Sequence, residues 1–403
     1  MEIRIEKREA QLVCRIVEDA ELIGCVVIDS TVGGRACGGV RLLPDVEEGE
    51  LRLLARSMTL KYGFLGLPQG GAKAGILGDP EAPPPERSRR IARFAEAVAP
   101  LLRSRTFVPA ADMGTDDADV RRILQIAGVK RGARELYGVD SGYYTALTVM
   151  AGARCAARRL GLPLSELKAA IEGFGKVGSA LARLLAAAGS RIVAISTSLG
   201  AIYDPAGLDV ERLVALAARK NDDPVEGYRE AQRLPREALL ELPVDLLLPC
   251  ARHHSLRADN ARTVPARIVS AGANNPMTPE AERILFERGV ICLPDFVTNA
   301  GGVLGGTMAF ASVGRSRIER FIETEVEARI AWILEEAERR TLPPIVIATS
   351  LAERRFEEVR RAAERRTPRA IAFAAALALY RRGFIPGRLV APLSIPYFRR
   401  SLA

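Results

Sequence analysis

The chain of 403 residues contains only two His and one Trp, and its six Cys (14, 25, 37, 155, 250 and 292) are scattered with no CxxC pair. The two His are adjacent, at 253 and 254. Neither a structural zinc site nor a disulfide framework is therefore expected. A reduced, cytoplasmic setting fits this cysteine usage. No apolar run reaches the ~18 residues that a membrane span needs. The opening residues, MEIRIEKREA, are charged and alternating and do not read as a signal peptide. Lysine is also scarce: of 58 basic residues only seven are Lys (7, 61, 73, 130, 168, 176 and 220) and the rest are Arg. The formal charge is +9, but the basic residues are interleaved with acids, as in ERRFEEVRRAAERR, and no RNA-binding aromatic motif accompanies them. Nucleic acid is not an expected partner. Where Arg stands nearly everywhere, a remaining Lys marks a position that needs an amine. Arg stays protonated, whereas a buried Lys can lose its proton near neutral pH. Two of the seven, Lys61 and Lys73, fall in one short segment.

What is present is a soluble globular balance, 48% hydrophobic and 27% charged, in a length that suits two or three domains. Residues 1–45 alternate apolar and polar and read as strands with Gly-rich turns. Glu47 to Tyr62 has helical spacing, Pro68–Gly78 reads as a Gly-rich loop, Pro85–Leu102 as a helix and Thr106–Ala110 as a strand. Asp116–Ala127 reads as a helix with Thr115 as its N-cap. The rhythm changes near 141. Helix Thr145–Leu160 precedes strand Ala169–Glu172, the loop Gly173–Gly178, helix Ser179–Gly189 and strand Arg191–Ser196. Strands Asp245–Pro249, Arg267–Ala271 and Val290–Leu293 follow, with helix Pro279–Arg288 before the last. This alternation predicts a doubly wound parallel sheet. From about 315 the chain reads as amphipathic helices broken at Pro343–Pro344, ending in an apolar, Pro-rich tail (384–403) that packs rather than floats.

Four motifs carry chemistry. In Gly173-Phe174-Gly175-Lys176-Val177-Gly178, following a strand and opening a helix, glycines allow a tight turn and close approach of backbone to a pyrophosphate. The next strand ends Ser196-Thr197-Ser198, with no carboxylate for a ribose 2′-hydroxyl. Thr197 and its neighbours leave room for a 2′-phosphate, so the reading leans to NADP or dual use. In Pro68-Gln69-Gly70-Gly71-Ala72-Lys73-Ala74-Gly75, a Gly-flanked Lys is open to close approach. Of Lys61 and Lys73, one ammonium can hold a carboxylate and a buried one can act as an acid–base. In Val108-Pro109-Ala110-Ala111-Asp112-Met113-Gly114-Thr115, an Asp between strand and helix is placed for proton transfer, although alone it reads as a helix N-terminal acid. Asn274, in Ala273-Asn274-Asn275-Pro276, and Asn299, in Asn299-Ala300-Gly301-Gly302, each follow an apolar strand. Their amides can bond a carboxamide such as nicotinamide, although singly each is more often a turn.

Together these residues resemble the glutamate/leucine/phenylalanine/valine dehydrogenase family. The match runs in order through GGVR (38–41), MTLKYGFLGLPQGGAKAG (58–75), PAADMGT (109–115), GFGKVG (173–178), SLGAIYDPAGLD (198–209), GANNPMTPEA (272–281) and PDFVTNAGGV (294–303). The resemblance implies an α/β protein. A Rossmann-type dinucleotide domain would span 141–319. A substrate, catalytic and oligomerisation domain would span 1–140, with the helices of 320–403 packing back on it. It implies NAD(P)-dependent oxidative deamination of an L-2-amino acid to a 2-oxo acid and ammonia, and the reverse. In this reading Lys61 holds the substrate α-carboxylate, Lys73 activates the water that attacks the imine, and Asp112 shuttles protons. Hydride passes from the substrate Cα to a nicotinamide held by the other domain, and closure excludes water. Thr145 joins the cofactor contacts, Gly38 and Gly39 the substrate contacts. A homo-oligomer, a hexamer by resemblance, is expected.

Departures from the family bear on substrate. Glutamate-specific members carry a Lys at the position of Cys37, and a Ser at that of Gly306, to hold the distal carboxylate. Burying that charge unpaired is costly, so an apolar or branched-chain substrate is expected. The alternatives are a glutamate dehydrogenase with unusual anchoring, favoured by GGAKAG and GAIYDPAGLD, and a non-catalytic regulatory paralogue. Lys176, where the family often has Asn, also departs.

Overall fold

The structure is a computed structural model that describes residues 2–8, 11–129, 140–219, 222–365 and 367–402. Lys130 and Lys220 lie outside the described residues. The chain divides into two compact units, Met1–Gly138 with Leu351–Val390, and Val139–Ser350 with Ala391–Ala403. The C-terminal helices, expected as one set on the first domain, are thus shared between the units.

The first unit is built on β1 (Glu2–Arg8), β2 (Gln11–Glu18), β3 (Glu21–Ile28), β4 (Ala36–Leu43), α1 (Glu48–Leu65), β5 (Gly70–Leu77), α2 (Pro84–Arg103), β6 (Phe107–Ala111) and α3 (Asp117–Ile126). Its six strands form one mixed sheet in the order β1-β2-β3-β5-β4-β6. Strand residues alternate between faces. Cys14, Ile16, Val26, Ile28, Val40, Leu42, Ala72, Ala74 and Ile76 turn one way and pack on Ile91, Phe94 and Val98 of α2 and Ile123 of α3. Val13, Cys25 and Val27 turn the other way, onto Leu51 and Ala55 of α1.

Two expectations fail in this unit. The Gly-rich segment expected as a loop is β5, a buried strand antiparallel to β3 and parallel to β4. Its glycines serve packing. A Cβ on Gly71 would stand 2.3 Å from the Thr59 backbone nitrogen of α1, and one on Gly75 would stand 2.3 Å from Val46. The cap of α3 is Asp116, not Thr115. The Asp116 carboxylate accepts from the Ala118 and Asp119 amides while the Asp119 carboxylate accepts from the Asp116 amide, a reciprocal box. The Thr115 hydroxyl instead donates to the Val40 carbonyl at 2.7 Å and accepts from the Asp112 amide at 3.0 Å.

The second unit begins with α4 (Ser141–Arg159), β7 (Lys168–Glu172), α5 (Lys176–Ala187), β8 (Arg191–Thr197), β9 (Gly200–Tyr203), α6 (Val210–Ala217), α7 (Pro224–Gly227) and β10 (Gln232–Leu234). It continues through β11 (Leu246–Pro249), β12 (Ile268–Val269), α8 (Pro279–Glu287), β13 (Ile291–Cys292), α9 (Asp295–Thr298), α10 (Gly301–Phe310), α11 (Arg315–Phe321) and α12 (Glu327–Arg340). The seven strands run in the order β10-β9-β8-β7-β11-β12-β13. The run from β8 to β13 is parallel, and β9 and β10 extend it antiparallel. This is the doubly wound sheet that the alternation predicts. Helix α5 starts three residues earlier than expected because the last glycine of the loop already lies within it.

Helices α13 (Pro344–Glu364), α14 (Pro368–Arg381) and α15 (Gly387–Leu402) close the chain. The Pro-rich tail is helical, with Phe398 buried edge-on against Phe321. Among the described residues no helix is long and apolar enough to cross a membrane.

Candidate active site

In the first unit the sequence motifs converge on the face of the sheet that α1 covers. Ala72, Ala74 and Ile76 of β5 face α2, so strand alternation turns Gly71, Lys73 and Gly75 toward α1. On that face Lys73 stands between two glycines and is 4% exposed. On β4 the pairing of Cys37 with Gly71 and of Arg41 with Gly75 puts Cys37, Gly39 and Arg41 on the same side. A Cβ on Gly39 would stand 2.7 Å from the Asp112 Cβ, and one on Gly38 would stand 1.7 Å from the Ala72 carbonyl oxygen. The glycines before Arg41 are what let Asp112, at the end of β6, and strand β5 close in on β4.

Lys73 and Asp112 form a buried ion pair. Arg41 joins it, its Nε donating to Asp112 Oδ2 at 3.1 Å, and pairs in turn with Glu50 of α1. The Lys73 amine is held below the ordinary lysine value by burial and by the Arg41 charge, against the opposing pull of Asp112. Burial pushes the Asp112 carboxyl up, but Lys73 and Arg41 overcome it and hold the group below the usual carboxylate range. A lysine that holds its proton less tightly than usual thus stands beside a carboxylate that stays ionised. Arg41 and Glu50 were missed as partners. In a chain this rich in Arg a single Arg carries no signal, and Glu50 lies outside every motif.

Lys61, buried on α1, lies two residues past Thr59, whose backbone meets Gly71. The Thr59 hydroxyl donates to Asp29 Oδ2 at 2.5 Å and shares a 2.6 Å bond with the Ser30 hydroxyl, which fixes this turn of α1 on the sheet. Beside Lys61, the Tyr62 hydroxyl is hydrogen-bonded to the Cys37 thiol. Burial raises both acids, Tyr62 well above its ordinary value, so the pair is uncharged at neutral pH.

In the second unit the three glycines of the Gly173–Gly178 loop have different surroundings. Gly173 has φ +92°, and a Cβ there would meet Ala251 at 2.9 Å. A Cβ on Gly178 would stand 2.0 Å from the Gly173 carbonyl oxygen, so this glycine lets α5 close on the loop. Gly175 has open space at its Cβ position, as approach of a pyrophosphate requires, and α5 starts after it with no side-chain cap on its amides. Phe174 is buried, and Val177 packs toward Gly272, so both serve the loop's seating. Lys176 is exposed at the first position of α5.

The structure brings Asn274 and Asn299 together. Asn299 Nδ2 donates to Asn274 Oδ1 at 2.9 Å and to the Ala273 carbonyl at 3.0 Å. Asn299 Oδ1 is buried without a hydrogen-bond partner among the described residues, an acceptor suited to the amide of a nicotinamide. Thr145 is buried on α4, with its hydroxyl 2.8 Å from the Cβ position of Gly302. Gly306, on α10, has open space at its Cβ position. These residues fit a dinucleotide. One feature of this half was missed by sequence: Asp223, whose carboxylate accepts from the Thr197 hydroxyl at 3.0 Å, at a strand end where no acid was expected.

The chain matches two family models. Residues 140–366 match Glutamate/Leucine/Phenylalanine/Valine dehydrogenase, and residues 7–127 match Glu/Leu/Phe/Val dehydrogenase, dimerisation domain. A glutamate dehydrogenase of Aeropyrum pernix is 36% identical over 281 residues, 66% of each chain. An NAD-specific glutamate dehydrogenase of Staphylococcus aureus is 35% identical over 316 residues, 75% of each chain. Among solved structures, the hetero-hexameric glutamate dehydrogenase of Thermus thermophilus, in a Leu-bound form, superposes with a TM-score of 0.73. The two are 28% identical, over 89% of this chain and 90% of that one.

Proposed function

The chain belongs to the glutamate/leucine/phenylalanine/valine dehydrogenase family, oxidoreductases acting on the CH–NH2 group of amino acids, and we propose that it interconverts an apolar L-2-amino acid with its 2-oxo acid and ammonia. The observation that carries the chemistry is the buried Lys73–Asp112 pair. A nicotinamide nucleotide, NAD or NADP, supplies the hydride acceptor when bound. The protein's own residues do the rest. Lys61 holds the substrate α-carboxylate with its ammonium. Lys73, whose proton burial makes easier to lose, acts in its deprotonated form to take a proton from the water that adds to the oxidised, electrophilic carbon. Asp112, ionised beside Lys73 and Arg41, relays protons to and from the departing amine. Gly173, Gly175 and Gly178 seat the pyrophosphate, and Asn274 and Asn299 hold the carboxamide.

The substrate reading rests on Cys37 and Tyr62. They bond each other as neutral groups where a distal carboxylate would need a cation. Glutamate is the second reading, favoured by the names of the relatives at 35–36% identity.

The test of the chemistry is ammonia-dependent oxidation of NADH or NADPH by 2-oxo acids, compared between wild type and Lys73→Met. A general base contributes about 10²–10⁴-fold. A loss of kcat in that range is expected, with nucleotide binding intact. Lys73→Arg should be equally inactive, because a guanidinium does not release its proton. Undiminished kcat in Lys73→Met would refute the assignment.

A further inference from the structure

The end of β8 carries a reading that none of the motifs contains. Ser196 Oγ accepts from the Gly173 amide at 3.1 Å, tying the strand end to the first glycine of the phosphate loop. One residue on, Thr197 Oγ1 donates to Asp223 Oδ1 at 3.0 Å. The same oxygen accepts from the Val225 amide at 2.8 Å, which fixes the carboxylate in place. The segment that carries it is docked, not dangling: Val225 is buried, and its Cγ1 lies 3.7 Å from the Cβ position of Gly200 at the start of β9. Both bonds engage Oδ1, and Oδ2 takes no hydrogen bond among the described residues. At the same turn Leu199 donates its amide to Thr197 Oγ1 at 3.2 Å and leaves its side chain 59% exposed, an apolar surface beside the carboxylate.

In a doubly wound sheet, the strand after the helix of the phosphate loop ends at the adenosine ribose. We propose that Asp223 reads that ribose, accepting a hydrogen bond from its 2′-hydroxyl and excluding a 2′-phosphate, so that this protein prefers NAD to NADP. The assignment rests on the reading of the second unit as a nicotinamide-nucleotide site. The acid comes from a segment 26 residues beyond Thr197 rather than from β8 itself. A hydroxyl can donate to a carboxylate. A phosphate monoester brings about −1.5 to −2 of charge and only acceptor oxygens, so it meets Asp223 as like charge against like. The neighbouring acid, Asp222, faces Arg219 at 3.7 Å. The small hydroxyls of Ser196 and Thr197, which suggested room for a phosphate, are instead engaged with Gly173 and Asp223.

The test is binding, measured on the full chain without amino-acid substrate, by titrating NADH and NADPH and following nucleotide fluorescence. Wild type should bind NADH at least tenfold more tightly than NADPH. Asp223→Asn retains an oxygen for Thr197 and Val225 but removes the charge. It should shift the ratio of dissociation constants tenfold or more toward NADPH. Asp223→Ser, which removes the acceptor as well, should lose NADH affinity further, and the far-ultraviolet spectrum reports whether each variant is folded. A wild type indifferent to the two nucleotides or favouring NADPH, or a ratio that does not move in the folded Asn variant, would overturn the role of Asp223 alone. Failure of wild type to bind either nucleotide would overturn the nucleotide site and this assignment with it.

Discussion

At the scale of single residues, scarcity was the most informative property of the sequence. Lys61 and Lys73 stood out because so few lysines remain, and both are buried in the first unit. What scarcity could not reveal was the company they keep. Arg41 shapes the site by lying against Asp112, yet in this chain an arginine is background. Asp223 escaped because contact with Thr197 depends on how a distant loop docks, which no local spacing encodes. The charges around Lys73 give a signed pH dependence. Its folded-state value lies below that of an ordinary lysine, so the active, neutral form accumulates earlier as pH rises. Plotted as log kcat/KM for amino-acid oxidation, the rate should climb with pH and level off with an inflection below 10.5, the ordinary value for Lys. Asp112 is the group that helps hold the proton on Lys73. In Asp112→Asn the residual activity should therefore show the inflection at still lower pH. An inflection that stays put or rises would mean that the pair is not coupled as the geometry indicates.

At the scale of elements, helices and parallel strands with strong apolar periodicity were legible, and segments dominated by glycine were not. β5 shows why. Its sequence GGAKAGIL carries turn residues, but each glycine faces a neighbour too close for a side chain: Ser30 at Gly70, α1 at Gly71 and Val46 at Gly75. Composition reports the lack of a Cβ; only tertiary packing says whether a turn or a close neighbour demands it. Gly71→Ala would force its methyl to within 2.4 Å of the Ala55 carbonyl and Thr59 hydroxyl oxygens. Overpacking of this kind costs about 1–3 kcal/mol or more, and thermal unfolding should show a lowered Tm. Gly175→Ala, with open space at its Cβ position, should leave Tm nearly unchanged while weakening nucleotide binding. Equal thermal penalties at the two positions would contradict this division between packing and ligand glycines. The cap of α3 makes the same point on a smaller scale. Thr115 and Asp116 are both good caps by type, and the choice falls to Asp116 because the Thr115 hydroxyl is taken by Val40 and Asp112.

At the scale of the whole molecule, the chain separates its two tasks. One unit carries the buried Lys73–Asp112 pair on the α1 face of a mixed sheet; the other carries the Gly173–Gly178 loop on a doubly wound one, and the proposed function gives each its task. The second plan was legible because strand and helix alternate along it. The first was legible only in part, since its sheet order interleaves β5 between β3 and β4. The course of the C-terminal helices was not legible, because amphipathic periodicity says that a helix has a buried face but not which surface receives it. The claim that joins both units is that this is an amino-acid dehydrogenase with a pocket for an apolar side chain. Its most direct test is reductive amination by the purified protein, with ammonia and 2-oxoglutarate, 2-oxoisocaproate, 2-oxoisovalerate or phenylpyruvate in turn, followed by loss of reduced-nicotinamide absorbance. The account predicts turnover with a higher kcat/KM for the apolar 2-oxo acids than for 2-oxoglutarate. Preference for 2-oxoglutarate would contradict the reading of Cys37 and Tyr62, and silence with all four while nucleotide still binds would contradict catalysis itself.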